Sequence, residues 1–290
     1  MVEVLNRCNY LYNNLIDCDD KHINENKNGD CLICTQNNFR GTNTDKYDCL
    51  KKLCTYTMFY GQLYVSEIYS FLVQSNFLIN LVNERREYIK TNFMNGFNIF
   101  TQNYDIPIHL NIMSLGCGFG PDNIALNKYR DAYFDLNVNF NYYGYDKEPL
   151  WHFITQSNAF PITHDLLSGM NFKHIDILFI NKLFSTLRNF DLHNDFLDIF
   201  RDALEELPIG AFVVFNDVNH YAIRDDFEEF ANTNNLQIIN KYYFDGHSYN
   251  YTHIPINIVT NSINNPSVSP KTHASQTIIF LYQKVVQYDN

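Results

Sequence analysis

The chain has 290 residues, 46% of them apolar and 16% aromatic, which is enough apolar surface for a sizeable globular core and excludes a disordered chain. A formal net charge of −11 and a pI near 5.3 argue against a broad nucleic-acid footprint. No run approaches the roughly 20 apolar residues needed to span a bilayer, and no basic segment precedes an apolar one at the N-terminus, so a cytoplasmic protein is expected.

Residues 1–45 are polar and read as irregular, with turn signals at Asn28-Gly29-Asp30. Six of the seven cysteines lie between Cys8 and Cys54. In a reducing compartment such clustering favours metal ligands or buried thiols over disulfides. Cys31-Leu32-Ile33-Cys34 has the spacing of a zinc knuckle. Cys18, His22, Cys31 and Cys34 would complete a tetrahedral site, and Cys8 could replace either upstream ligand. The alternative is a set of buried free thiols; Cys49 and Cys54 read as core, though either could be a late ligand.

From Tyr47 to Phe93 there is no proline. Apolar residues recur at Leu50, Leu53, Met58, Leu63, Ile68, Leu72, Leu78, Leu81 and Val82. This spacing predicts one or two amphipathic helices, broken near Gly61, whose stripe packs into the core. A lid over a ligand site is compatible with it. Arg85-Arg86 reads as part of a solvated helix face.

The chain divides near residue 105, giving a cysteine-rich and helical segment over 1–105 and an α/β part over 106–290. Leu110–Leu115 reads as a buried strand, followed by the glycine turn and a helix over Pro121–Tyr133. Further strands are expected at Phe140–Tyr145, Ile175–Ile180, Ala211–Phe215, Leu236–Tyr243 and Thr277–Gln283. Helices fill Phe190–Leu207 and Arg224–Asn232, and Pro255–His273 reads as a loop within the last hairpin.

The turn Gly116-Cys117-Gly118-Phe119-Gly120 joins a strand to a helix. Glycines permit a sharp turn and a close approach of ligand to backbone, and the helix start offers unpaired N–H groups. A tight structural turn would look the same. A dinucleotide fingerprint wants a glycine where Pro121 stands, and no P-loop lysine follows.

Ile112-Met113-Ser114-Leu115-Gly116-Cys117-Gly118-Phe119-Gly120 resembles the first motif of class I S-adenosylmethionine-dependent methyltransferases. Tyr142-Tyr143-Gly144-Tyr145-Asp146 resembles their second strand with its terminal acid, and His164-Asp165-Leu166 the loop after the third strand. Ile175–Asn181 and Gly210–Asp217 resemble the fourth and fifth strands, so the likeness covers roughly residues 107–285. It implies a Rossmann-like, mostly parallel seven-stranded sheet with a last antiparallel strand, and S-adenosylmethionine as cofactor. It further implies that Gly116, Gly118 and Gly120 wrap the cofactor's amino-acid end, Asp146 takes the ribose hydroxyls and Asp165 lies near the adenine amine. Asn181 would face cofactor and substrate. Ser114 stands where the family usually holds an acid; its hydroxyl can still accept a hydrogen bond but carries no charge. Each acid also has a plainer reading, Asp146 as a turn cap and Asp165 as a helix cap.

Asp217, His220 and Tyr221 follow the fifth strand and are the candidates for a general base. His220 could equally be a helix-start histidine. No Asn-Pro-Pro-Tyr or Asp-Pro-Pro-Tyr motif and no Pro-Cys dipeptide is present, which with the acidic balance favours a small molecule or a protein as methyl acceptor over nucleic acid. The alternative is a non-catalytic cofactor-binding or interaction module of the same fold, which Ser114 favours.

Overall fold

Alternation along the strands decides how this molecule is layered. A computed structural model describes residues 1–14, 31–37, 49–94, 107–155, 161–244, 252–253, 267–272 and 277–286. Its strands are β1 (Ile108–Leu115), β2 (Val138–Asp146), β3 (Ile162–Thr163), β4 (Ile177–Asn181), β5 (Phe212–Val218), β6 (Leu236–Phe244), β7 (Thr252–His253) and β8 (Thr277–Lys284). They form one sheet in the order β3-β2-β1-β4-β5-β8-β6-β7. β1 to β5 run parallel, and β8 inserts antiparallel between β5 and β6. The expected mostly parallel sheet with its closing antiparallel strand is therefore present. The two-residue β7, parallel to β6, makes eight strands rather than seven.

Because side chains alternate across a strand, each central strand supplies both cores. Leu110, Ile112, Ile177, Phe179, Val214, Ile279 and Leu281 enter one. Met113, Leu115, Leu178, Ile180, Val213, Phe215 and Phe280 enter the other. Such strands, buried on both faces, read as near-continuous apolar runs. The second core is closed by α7 (His193–Glu205) and α8 (Tyr221–Thr233), through Phe196, Phe200, Phe227 and Phe230. Phe215 and Phe227 stack at 3.9 Å between centroids.

The first core is closed by α5 (Pro121–Ala132) together with the helices before the sheet: α1 (Val2–Asn14), α2 (Cys31–Asn37), α3 (Leu50–Ser75) and α4 (Phe77–Ile89). A short α6 (Phe184–Asn189) follows β4. Val4, Leu5, Leu53, Met58, Ile68, Phe71 and Leu78 join the same cluster as Leu110 and Ile112, so the N-terminal helices and the sheet share one core.

Several expectations are corrected. The start of the chain is not irregular throughout, since α1 and α2 are helices within residues 1–45. The long helix does not break at Gly61, which is buried against the Met1 side chain where a Cβ would collide. It breaks at Asn76, whose φ of 55° ends α3 and starts α4, a left-handed conformation that asparagine tolerates. Arg85 and Arg86 are not merely solvated. Arg85 pairs with Asp176 at 2.5 Å and Arg86 donates to the Leu136 carbonyl at 2.8 Å, clasping α4 to loops at the N-terminal ends of β2 and β4. Most of Pro255–His273 lies outside the described residues. No helix among the described residues is long and apolar enough to cross a membrane.

Candidate functional site

Strand order reverses between β1 and β4, and in an open α/β sheet ligands bind at the carboxyl ends of the strands beside such a switch point. A cavity of about 490 Å³ opens there, within the range of small-molecule sites. Its wall runs from Asp146 on β2 and Gly116–Phe119 after β1 to Asn181 on β4 and Asn216 on β5.

The glycine turn is built on positive backbone angles. Gly116, Gly118 and Gly120 have φ of +62°, +53° and +74°, a region costly for residues with a Cβ. A Cβ on Gly116 would also lie 2.8 Å from Leu183. Gly120 then caps α5 with Pro121 at its first position, where the missing N–H is no loss. Gly116 and Gly118 line the cavity, whereas Gly120 serves the turn beneath.

Asp146 ties the end of β2 to this turn. Its Oδ2 accepts the Gly118 N–H and its Oδ1 the Glu148 N–H, both at 2.9 Å. Burial pushes its carboxyl up to about 6, against the pull of those N–H groups. Glu148 in turn accepts the Leu150 N–H, which starts the 3₁₀ turn Pro149–Phe153 and sets Trp151 against Gly118. Trp151 meets Tyr56 edge-on at 6.1 Å and Phe119 at 6.4 Å. Tyr56, Tyr64 and Ile68 reach the cavity from α3. Asp165 lines the cavity too, and it caps a turn by accepting the Leu167 N–H at 3.1 Å. The capping contact is thus present, and the side chain is also on the cavity wall.

Ser114 does not line the cavity. It is fully buried below the turn, next to Asp122 and Tyr142. Tyr142 donates to Asp122 at 2.9 Å, and burial raises the Asp122 carboxyl. Cys117 lines the cavity with its thiol pushed well up by burial, then by Asp146 and Asp122. Its sulfur fits because Gly144 has no Cβ; one there would lie 2.8 Å away.

The three base candidates are not among the cavity-lining residues. Asp217 spends its oxygens on the Ser185 and Val218 N–H groups, at 3.0 and 2.7 Å, and is fully buried. His220 is exposed and caps α8, accepting the Ala222 N–H at 3.3 Å. Tyr221 is 67% exposed. Asp217 points to the face of β5 opposite Asn216, and His220 and Tyr221 lie past the end of the strand.

The zinc site finds no support. Cys18 and His22 lie outside the described residues. Among the described residues, no group of three or more His, Cys, Asp or Glu could hold a metal. Cys31 and Cys34 sit in the first turn of α2 rather than in a tight knuckle, and both are buried. Cys8 packs against Cys54 and Thr57 in the apolar core, where burial raises its thiol well above the usual range.

At the other end of the cavity only Asn181 was expected from the sequence. Lys182, with φ +54°, sends its ammonium to Thr277 at 2.9 Å and to Glu67 of α3 at 3.2 Å. Thr277 donates to the other Glu67 oxygen at 2.9 Å. Glu67 is a lone acid inside an apolar helical stripe, a signal that was available. So was Asn216, which ends the apolar run Phe212–Phe215 just as Asn181 ends Ile177–Ile180.

No protein-family model matches the chain, and no curated protein matches it. Among solved structures it is similar to a putative class I S-adenosylmethionine-dependent methyltransferase from Listeria monocytogenes, with 11% identity and a TM-score of 0.43 over 99% of this chain and 89% of that one. It is also similar to the N-methyltransferase NodS from Bradyrhizobium japonicum, at 12% identity and a TM-score of 0.38 over 60% and 78% of the two chains. A putative RNA methyltransferase from Pyrococcus horikoshii gives 16% identity and 0.37 over 61% and 76%. What strand order and register show is an α/β, Rossmann-like fold closed by an antiparallel strand, with its cavity at the switch point.

Proposed function

We propose that this cavity binds S-adenosylmethionine and that the protein transfers its methyl group to a small-molecule or protein acceptor. The observation that carries the reading is the junction of Asp146 and Gly118. An acid at the end of β2 is fastened by a backbone N–H to a turn of three positive-φ glycines, and both line one cavity. A carboxylate has about four lone-pair sites. Two are occupied by the chain, which leaves capacity for the two ribose hydroxyls. Gly116 and Gly118 bring bare backbone to the position of the amino-acid end. Trp151, Tyr56 and Phe119 supply flat apolar walls, and Asp165, which the resemblance assigns to the adenine amine, lines the same cavity.

When bound, the sulfonium supplies an electrophilic methyl group. The chain's part is alignment: an in-line displacement needs donor and acceptor held at close range with water excluded, and such positioning can supply most of the rate. The helices of 1–105 serve as the cover of the 106–290 unit, since α3 contributes Tyr56, Tyr64 and Ile68 to the wall. The cavity's acids, Asp146, Glu148 and Asp165, make it a poor place for a phosphate backbone.

A second reading, a cofactor-binding module without turnover, is favoured by the uncharged Ser114 and by the absence of Asp217, His220 and Tyr221 from the cavity wall. Calorimetry with S-adenosylmethionine and S-adenosylhomocysteine tests the first step, and no heat with either sinks both readings. Asp146→Ala is expected to weaken binding at least tenfold; unchanged affinity would remove the ribose assignment.

A further inference from the structure

Asn181 and Asn216 line the cavity with all four of their amide atoms unpaired, although their residues are only 7% and 1% exposed. They are register partners on adjacent parallel strands, so both side chains stand on the same face of the sheet. The Lys182 N–H, bonded to the Asn216 carbonyl at 2.7 Å, locks the two strand ends together. Buried polar groups are nearly always paired, and each exception asks for an explanation. Across the sheet, Asp146 and Asn216 are separated by three strand spacings, roughly 14 Å. The asparagines therefore lie beyond the glycine turn, on the far side from the proposed ribose.

The chemistry of this end is restrictive. Lys182, the cation beside the asparagines among the described residues of the wall, is already bonded to Glu67 and Thr277. Lys147 stands 3.8 Å from Asp165, so the acids on the wall outnumber the cations left for a ligand. A carboxylate or phosphate could only accept, leaving both asparagine carbonyls bare. An ammonium could only donate, leaving both NH₂ groups bare. A group that satisfies both amides must donate and accept side by side. Leu183 and Leu187 supply an apolar boundary.

Resting on the cofactor reading above, we infer that Asn181 and Asn216 form the acceptor subsite and that it takes an uncharged small molecule presenting a planar amide-type edge, an N–H beside a C=O. The buried amides are held unpaired for that edge, at a cost in stability to the empty protein.

The test uses the full chain saturated with S-adenosylhomocysteine and titrated, by calorimetry and ligand-observed NMR, with two matched pairs of probes: nicotinamide against nicotinate, and benzamide against benzoate. The amides are expected to bind at least tenfold more tightly than their carboxylates. Asn216→Leu and Asn181→Leu, close in volume and without polar atoms, are expected to lose at least tenfold in amide binding. Asn216→Leu should hold S-adenosylhomocysteine within twofold of the parent, and both variants should melt a few degrees higher. Carboxylates bound as well as amides, no binding of either amide, unchanged amide binding in the variants or lower melting points would each overturn the inference. A parallel loss of S-adenosylhomocysteine affinity in Asn216→Leu would overturn it too, by placing that asparagine in the cofactor's half. Failure of S-adenosylhomocysteine to bind the parent protein is a different result. It removes the cofactor reading, and the same probe pairs on the empty protein then decide the subsite alone.

Discussion

At the β2 end of the cavity each oxygen of Asp146 accepts a backbone N–H, whereas at the β5 end Asn181 and Asn216 hold nothing. Beside the asparagines, Lys182, Glu67 and Thr277 satisfy one another and bridge the end of β4, α3 and β8. The Asp146 end is fastened before any ligand arrives, and the ion-paired cluster is self-contained. Only the two asparagines keep bonding capacity in reserve. Fixed donors and acceptors cost no rearrangement when a ligand binds, while unpaired ones lower the stability of the empty protein. The division suggests where the molecule trades stability for recognition.

Breaking the ion pair beside the asparagines should do most damage. Lys182 and Glu67 are 9% and 1% exposed as side chains, and breaking a buried ion pair from one side costs about 3–5 kcal/mol. Glu67→Gln is therefore expected to lower urea-unfolding stability by that order. A Glu67→Gln, Lys182→Met double variant should recover most of the loss. If the single variant loses under about 1 kcal/mol, water reaches the pair and the cavity is not sealed there.

Asp146 gives the next largest effect, and its sign is distinctive. Its folded carboxyl titrates at about 6, above the ordinary 3.8, so the folded state holds the proton where the unfolded state has lost it. Stability of the empty protein should then fall as pH rises from about 4 to about 6, by on the order of 2–3 kcal/mol. Asp122 and Asp217 are raised by burial in the same direction, so the measurement is the difference between the parent and Asp146→Asn. That difference should flatten above pH 6. Ribose hydroxyls donate to the ionised form, so cofactor affinity should rise through the same window and lose that rise in the variant. A pH-independent difference in stability would mean that Asp146 is better solvated than its burial indicates.

The glycine turn is the third place to press. Gly118→Ala keeps the chain's chemistry but forces a Cβ into φ +53°, at 3.4 Å from Trp151. The left-handed cost is about 1–2 kcal/mol, read as a fall in melting temperature. Cofactor affinity should fall with it, because the Gly118 N–H that holds Asp146 must move. Loss of stability with unchanged affinity would mark the turn as structural only.

These contrasts also show what the sequence exposed. The apolar runs of β1, β4, β5 and β8 were legible because strands buried on both faces leave little else to read, and the glycine turn because its backbone angles demand its residues. Asp146 and Asp165 were singled out because the strand end and the loop that carry them resemble those of the methyltransferase family. Apart from Asn181, the far end was hidden for two reasons. Glu67 meets Lys182 and Thr277 across separations in sequence that no local period encodes. Asn216 was overlooked because the acid beside it, Asp217, looked more reactive. Alternation along β5 turns those neighbours to opposite faces, one onto the cavity and one onto the backbone of α6. The same blindness to direction made Arg85 look solvated.

The smallest effect separates the strand end from the chemistry. His220 follows β5 and looked suited to proton transfer, yet its ring accepts the Ala222 N–H at the start of α8. At 3.3 Å, and with the ring exposed, this is a weak cap, worth about 0.5 kcal/mol on the scale of side-chain caps. His220→Ala should cost that much in urea unfolding and leave S-adenosylhomocysteine affinity within twofold. His220→Asn, with a better capping side chain, should restore the stability. A tenfold loss of ligand affinity in His220→Ala, not recovered by His220→Asn, would bring the histidine back to the cavity. It would require α8 to shift its first turn when the ligand binds, and the contrast between a fastened and a reserved end would then need a third, mobile part.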